Sequence, residues 1–267
     1  MQKSSLYAVI PAAGKGSRLG LSGPKILVSV ASGVTIWDVL AEKLTPVVDR
    51  LLVVMSPDGA PLMEKKLAAY PIGRPVDIAL QPKPRGMGDA IFCSYEWWRS
   101  ADNLLIVWGD QVHVSDNTLR ASVTDHMTMP SPCLTIPMVR LPKPYVEYLF
   151  DSADRLAAVR QSREGAACSE NGWGDVGTFL LSTRGLKEAW LEYLTSRPVG
   201  ALTGELNFLP FMVYLSQVKH WPVQRVVIEN KNEARGINTP EDLMFFQKFY
   251  GRGIHNAHDK CRNRHDS

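Results

Sequence analysis

The sequence predicts an α/β fold: a mixed, mostly parallel central sheet flanked by helices, with a small antiparallel subregion in the second half. Apolar runs with β-branched residues recur at Leu6–Pro11, Leu51–Met55, Val76–Leu80 and Leu104–Trp108. Segments of helical spacing separate them, and that alternation reads as a parallel sheet with crossover helices. After Pro130 the strand candidates shorten and crowd together, which marks the antiparallel part.

Between the first two strands, Ile36, Val39, Leu40 and Leu44 recur at three- and four-residue intervals. Thr35 is placed to cap this helix and Pro46 to stop it. Similar helices are expected at Pro61–Tyr70, Gly88–Trp98 and Ser115–His126. The second half offers strands at Cys133–Val139, Val146–Phe150, Leu156–Arg160 and Val176–Ser182. Helices at Arg184–Thr195 and Glu205–Ser216, a strand at Val223–Glu229 and a last helix from Thr239 to Phe249 complete the pattern. No repeat or linker interrupts it, so residues 1–250 are expected to form one domain and 251–267 a polar, flexible tail.

Composition narrows the class. A chain of 267 residues, 45% hydrophobic and 21% charged, is long enough to bury a full globular core. Its net charge of +3 comes from scattered Lys and Arg, which argues against nucleic acid as a partner. The start, "MQKSSLYAVIPAAG", lacks the apolar length of a signal peptide or membrane span, so a cytoplasmic protein with no membrane partner is expected. Cys93, Cys133, Cys168 and Cys261 form no C-x-x-C pair and read as buried, reduced thiols. His255, His258, Cys261 and His265 carry donor atoms, but the tail has no scaffold to orient them on a metal. Trp97, Trp98 and Trp108 read as packing residues, whereas Trp173, between glycines beside Asp175, is a candidate for a pocket wall.

The densest signal is "VIPAAGKGSRLGLSGPK", Val9 to Lys25. Gly14, Gly16 and Gly20 approach the spacing of a dinucleotide fingerprint, whose turn opens a helix at once. Here Gly20, Ser22, Gly23 and Pro24 prevent that helix, and the segment stays an extended loop. Such a loop offers backbone amides to phosphates and adds the guanidinium of Arg18 and the ammonium of Lys25, a charge suited to a polyphosphate. A nicotinamide dehydrogenase is thereby excluded. Hydrolase chemistry is unsupported too, since no G-x-S-x-G turn is present.

The pattern G-x-G-x-R followed by P-K, here "AAGKGSRLGLSGPK", resembles the signature of the sugar-1-phosphate nucleotidyltransferase superfamily. Four later segments resemble further family motifs in the same order: "QPKPRGMGDA", "IVWGDQ", "GDVGTFLLS" and "EARGINTPEDL". The pattern is most similar to uridylyltransferase domains of N-acetylglucosamine-1-phosphate uridylyltransferases and to MobA-like transferases. The resemblance implies the Rossmann-like GT-A fold and transfer of a nucleotidyl group from a nucleoside triphosphate to a small phosphorylated acceptor.

It also implies roles for residues. Arg18 and Lys25 would act on the phosphates, and Ala12, Ala13, Gly14, Gly16 and Ser17 would line the nucleotide. Gln81 and Gly86 would read the base and Met87 and Gly88 would line the nucleotide; an amide pairs with a pyrimidine edge, and Met87 replaces the family's usual Thr. Asp110, at the end of an apolar strand, and Asn238 would hold Mg²⁺. Arg163, Asp175, Gly177 and Glu205 would face the acceptor, Asp175 standing where the family has Asn. UTP is the first expectation for the triphosphate, CTP the next, and a sugar 1-phosphate for the acceptor. Competing expectations are a cytidylyltransferase acting on a phosphonate or alcohol phosphate, a molybdopterin-type guanylyltransferase, and a catalytically silent nucleotide-sugar sensor. Retention of Arg18, Lys25, Asp110 and Asn238 together speaks against the last. An acetyltransferase activity, carried in some relatives by appended left-handed helix repeats, is not expected.

Overall fold

A computed structural model describes residues 4–14, 23–69, 73–196 and 199–248. Gly16, Ser17, Arg18, Tyr70 and the tail from 249 onward lie outside the described residues. The chain runs β1 (Leu6–Pro11), a hairpin of β2 (Ser29–Ala31) and β3 (Val34–Thr35), α1 (Ile36–Leu44), β4 (Arg50–Met55), α2 (Ala60–Ala69), β5 (Val76–Leu80), α3 (Met87–Phe92), α4 (Tyr95–Trp98), β6 (Asn103–Val107) and α5 (Asp116–Thr128). It continues with β7 (Leu134–Leu141), β8 (Val146–Phe150), β9 (Leu156–Gln161), β10 (Gly172–Asp175), β11 (Thr178–Ser182), α6 (Leu186–Leu194), α7 (Phe208–Gln217), β12 (Val223–Val227) and α8 over 240–248.

Ten strands form one sheet in the order β5-β4-β1-β6-β11-β7-β10-β8-β9, with β12 on the other edge of β7. The expected parallel half is β5, β4, β1 and β6. Next to β6 the direction reverses, and β11, β7, β10, β8 and β9 pair antiparallel in turn. Both faces of β1, β4 and β6 are covered, as the crossover helices require, while the edge strand β5 is half-buried. Leu6, Ala8, Ile10, Leu51, Val53 and Leu105 point into the layer of α1, α2 and α5, while Val9, Leu52, Val54, Leu104 and Ile106 point into that of α3, α6 and α7.

Helix boundaries follow local chemistry. Thr35 caps α1 in a reciprocal box: its hydroxyl accepts from the Asp38 N–H (3.4 Å), and Asp38 Oδ2 accepts from the Thr35 N–H (2.7 Å). The helix expected over Gly88–Trp98 is two, α3 and α4. The Ser94 hydroxyl donates to the Ile91 carbonyl (2.8 Å), taking an acceptor of the helical ladder at the break. The strand expected at Val176–Ser182 is preceded by β10, whose glycine-rich sequence hid it. The helix expected from Glu205 starts only at Phe208, which leaves Glu205 in a loop. Of the described cysteines only Cys133 is buried; Cys93 is exposed and Cys168 half-buried, against the expectation that all are buried.

Trp98 bears out its packing role, whereas Trp108 packs and also borders the cleft beyond β6. Trp98 is fully buried, and Trp108 packs on Phe179 and Phe208. Beneath the sheet, Phe92 and Trp190 stack at 4.3 Å with planes 2° apart, and Phe211 meets both edge-on. Phe211 is fully buried, so Phe211→Ala is expected to cost about 3–5 kcal/mol in chemical denaturation. A loss below about 1 kcal/mol would show that α3, α6 and α7 close over the void.

Candidate active site

Because β1 and β6 are adjacent and parallel, their C-terminal ends meet on one side of the sheet, where open α/β folds keep their polar groups. Beyond β6 the chain runs through Trp108 and Gly109 to Asp110. The Trp108 N–H donates to the Gly177 carbonyl (2.9 Å), tying the end of β6 to the bend between β10 and β11. The Ile237 N–H donates to the Asp110 carbonyl (3.1 Å), tying in the segment before α8. These pieces wall a cleft of about 390 Å³.

Lys25 opens a short 3-10 turn, Lys25–Leu27, after the extended Pro24; Ile26 within it is fully buried. Its ammonium donates to Asp110 Oδ2 at 2.6 Å and to Asn238 Oδ1 at 2.8 Å. Asn238 is itself held. Its N–H and that of Thr239 both donate to Asp242 Oδ2 at 2.9 Å, and the Asp242 N–H returns a bond to the Thr239 hydroxyl (3.3 Å). This repeats the box at α1, with Pro240 at the first helical position. Burial pushes the Asp242 carboxyl up, but Arg235 and the two N–H donors outweigh it and hold it below the ordinary range.

Asp110 and Asn238 suit a hard cation. One oxygen from each already shares a single positive charge, the ammonium, and carboxylate and amide oxygens are the donors such ions take. The backbone crowds this pair: a Cβ on Gly236 would stand 3.0 Å from Asp110 Cγ. No cluster of three or more His, Cys, Asp or Glu occurs among the described residues, so these two would leave most coordination positions to other oxygens.

Across the cleft, Asp175 accepts from the Gly177 N–H (2.6 Å) and from the Tyr148 hydroxyl (2.9 Å), one oxygen to each. Burial pushes its carboxyl up, these donors pull against it, and the charge of Asp110 adds to the rise. Tyr148 is pushed well up by burial and then by Asp175, and stays a phenol donor. Arg163 lines the same cleft with its guanidinium donating to Gln161 (3.3 Å), Glu205 (3.2 Å) and Asn207. Glu164 beside it accepts from the N–H groups of Leu202 and Thr203, from the Thr203 hydroxyl and from Asn207, clamping the loop that carries Glu205.

The structure thus brings Ala12, Gly14, Lys25, Met87, Asp110, Arg163, Asp175 and Asn238 onto one cleft. Others stand behind it. The Gln81 amide nitrogen donates to the Gly86 carbonyl (3.0 Å) and to Asp89 (2.9 Å), so it braces the turn. Gly86 and Gly88 are required by packing: a Cβ on either would come within 2.8 Å of the Leu206 carbonyl oxygen, and the Gly88 N–H already donates to it. The Ala12 N–H is taken by the Val54 carbonyl, and the buried Ala13 is not among the cleft's lining residues. Gly177 acts through its backbone, and Glu205 through Arg163. Trp173 carries the Arg140 guanidinium on its ring at 4.1 Å and does not line the cleft.

Sequence reasoning missed Gln111, Gln161, Tyr145 and Tyr148. Gln111 follows Asp110 and lies across Gly177, where a Cβ would meet its Cγ at 2.1 Å; its buried Oε1 has no hydrogen-bond partner. Its place after the strand-terminal Asp was the one available signal. Tyr148 gave none, being an ordinary apolar position of a strand.

A parallel sheet edge bearing a glycine loop, a lysine and an Asp–Asn oxygen pair defines a nucleotide-handling α/β protein. Residues 8–204 match the MobA-like NTP transferase domain, and the chain belongs to that family, within the sugar-1-phosphate nucleotidyltransferase superfamily. It is 22% identical over 252 residues to the bifunctional protein GlmU of Buchnera aphidicola, covering 94% of this chain and 52% of that one. The GlmU of Acidithiobacillus ferrooxidans is 26% identical over 249 residues, covering 91% and 51%. The chain spans about half the length of these curated relatives. In fold it is similar to HddC from Yersinia pseudotuberculosis, with TM-score 0.64, 20% identity and coverage of 91% and 99%. A putative glucose-1-phosphate thymidylyltransferase from Bacillus anthracis gives 0.71 at 14% identity, covering 91% and 94%. Among the described residues no helix is long and apolar enough to cross a membrane.

Two outcomes are expected here. Gln111→Leu should leave the melting temperature unchanged or raise it, because it removes a buried acceptor that nothing satisfies; a clear drop would reveal a partner that forms in solution. Glu164 is pulled down to about 2, first by the Thr203 hydroxyl and then by the Leu202 N–H, from an ordinary 4.5. A depressed carboxyl stabilises the fold above its ordinary value and loses that contribution as pH falls through the folded one, here between 4.5 and about 2. Glu164→Gln should flatten the fall of the urea midpoint over that interval; superimposable acid limbs would remove the clamp from the stability of this loop.

Proposed function

We propose that the chain is a Mg²⁺-dependent nucleotidyltransferase that joins a nucleoside triphosphate, UTP first and CTP second, to a sugar 1-phosphate. The products are a nucleoside diphosphate sugar and pyrophosphate. The carrying observation is the convergence of Lys25, Asp110 and Asn238 at the end of β6, beside the start of the glycine loop. An acceptor phosphate oxygen attacks the α-phosphorus, the bond from that phosphorus to the α–β bridging oxygen breaks, and pyrophosphate leaves with the oxygen. Such transfer rests on positioning and charge neutralisation.

Each residue then has a task. Lys25 and Arg18 neutralise the triphosphate, and the N–H groups of Gly14, Gly16 and Ser17 cradle it. Asp110 and Asn238 hold the metal, whose chemistry is to offset the charge of the phosphate oxygens. With its nitrogen committed to Gly86 and Asp89, Gln81 has only its oxygen left for a base. That oxygen suits the N3–H of uracil and the amino group of cytosine alike. Arg163 faces the acceptor phosphate, aimed by Glu205 and Asn207. Asp175 has both oxygens engaged and shapes the wall with Gly177. That engagement, together with Met87 on the cleft, favours as second reading a cytidylyltransferase acting on a phosphonate or alcohol phosphate.

The test is pyrophosphate release by purified protein with Mg²⁺ across four triphosphates and a panel of sugar 1-phosphates, phosphonates and alcohol phosphates. Release is expected with UTP or CTP, and Asp110→Asn should cut kcat by about 10²–10³-fold. Silence across the whole matrix, or full rate in the variant, would overturn the assignment.

A further inference from the structure

We infer that Lys25 is the resident cation of the Asp110–Asn238 pair and excludes a free divalent cation until a triphosphate draws its ammonium away. The inference rests on the reading of the cleft above and adds an order of loading: metal is taken up with nucleotide.

The geometry makes the two occupants mutually exclusive. Asn238 has one amide oxygen to offer an ion, Oδ1, and the ammonium already holds it at 2.8 Å together with Asp110 Oδ2 at 2.6 Å. A second cation on them would meet the ammonium at contact distance. The pair is also shielded from water, with side-chain exposures of 21% for Lys25 and 17% for Asp110, so solvent screens the attraction poorly. Free metal therefore has to displace an enclosed ion pair and pay for its own dehydration.

Only the side chain needs to move. The backbone of Lys25 is fixed by the buried Ile26, by the Leu27 N–H on the Pro24 carbonyl and by the Val28 N–H on its own carbonyl, both at 3.0 Å. Its four-carbon stem is free to pivot. Ala12 and Gly14 border the same cleft as Lys25, so a triphosphate bound against them would offer several negative oxygens to an ammonium leaving Asp110. Departure leaves the Asp110 carboxylate without a counterion in a cleft that Asp175 also lines, which favours arrival of another cation at the same moment. Nucleotide and metal thus bind with positive coupling, and linkage makes the coupling reciprocal.

The experiment reads binding, not turnover. Mn²⁺ affinity is measured by electron paramagnetic resonance of the free ion, with and without non-hydrolysable UTP and CTP analogues in separate arms. The proteins are the parent chain, Lys25→Met, Lys25→Gln and Lys25→Met combined with Asp110→Asn, each checked by circular dichroism. Once the Mn²⁺ chelated by the analogue in protein-free controls is subtracted, the parent is expected to bind Mn²⁺ at least tenfold tighter with an analogue than alone. Both lysine variants are expected to bind it at least tenfold tighter than the parent without nucleotide, and the added Asp110→Asn to abolish that gain. A parent that binds Mn²⁺ equally with and without either analogue overturns the inference with no variant needed. Lysine variants no tighter than a parent that still gains from nucleotide overturn the inference alone. A gain that survives Asp110→Asn moves the ion off Asp110 and overturns the metal assignment of the proposed function with it.

Discussion

A carboxylate at the end of a buried strand needs a cation, and the polar end of this sheet is arranged around that need. Asp110 stands just beyond the end of β6 and lines the same cleft as Asp175, and both are partly enclosed. Two such charges repel, so each is answered separately: Asp175 by the Tyr148 hydroxyl and the Gly177 N–H, Asp110 by Lys25. The second answer fixes long stretches of chain. It draws the turn after Pro24 across the end of β1, and it draws Asn238 from the segment before α8.

The sheet supplies the opening in which this happens. Up to β6 it is a parallel α/β layer, whose strand ends form a continuous edge. β11 then pairs with β6 antiparallel, and the strand it continues from, β10, bends away at Val176–Gly177 to pair with β7 and β8. The divergence of β10 from β6 leaves the cleft between Asp110 and Asp175. Loops from the antiparallel half then carry Arg163 and Glu205 to its far side.

This origin explains what was legible in the sequence. β1, β4 and β6 were readable because strands buried on both faces are apolar runs, and α1 because Thr35 and Pro46 punctuate it. β10 was not, because a Gly-Trp-Gly-Asp strand carries no apolar pattern. Asp110 and Asn238 lie 85 and 213 residues from Lys25, so no spacing rule joins them; family motifs singled them out, and the fold brought them together. Gly86 and Gly88 were singled out in the sequence only as nucleotide contacts of a family motif. What they admit, the Leu206 backbone, is a contact that only tertiary structure reveals.

The same device occurs twice across the cleft. Among its described lining residues the cations are Lys25 and Arg163, and each is closed onto a carboxylate, Asp110 at 2.6 Å and Glu205 at 3.2 Å. A ligand with one phosphate has to compete with an internal anion at whichever end it enters. In the proposed reaction the two substrates present a triphosphate at one end and a single phosphate at the other, and only together do they replace both internal anions. Internal pairing of this kind lowers the affinity for stray phosphates, because part of the binding energy is spent opening the ion pair, while leaving the cations pre-aimed for ligands that fill the whole cleft.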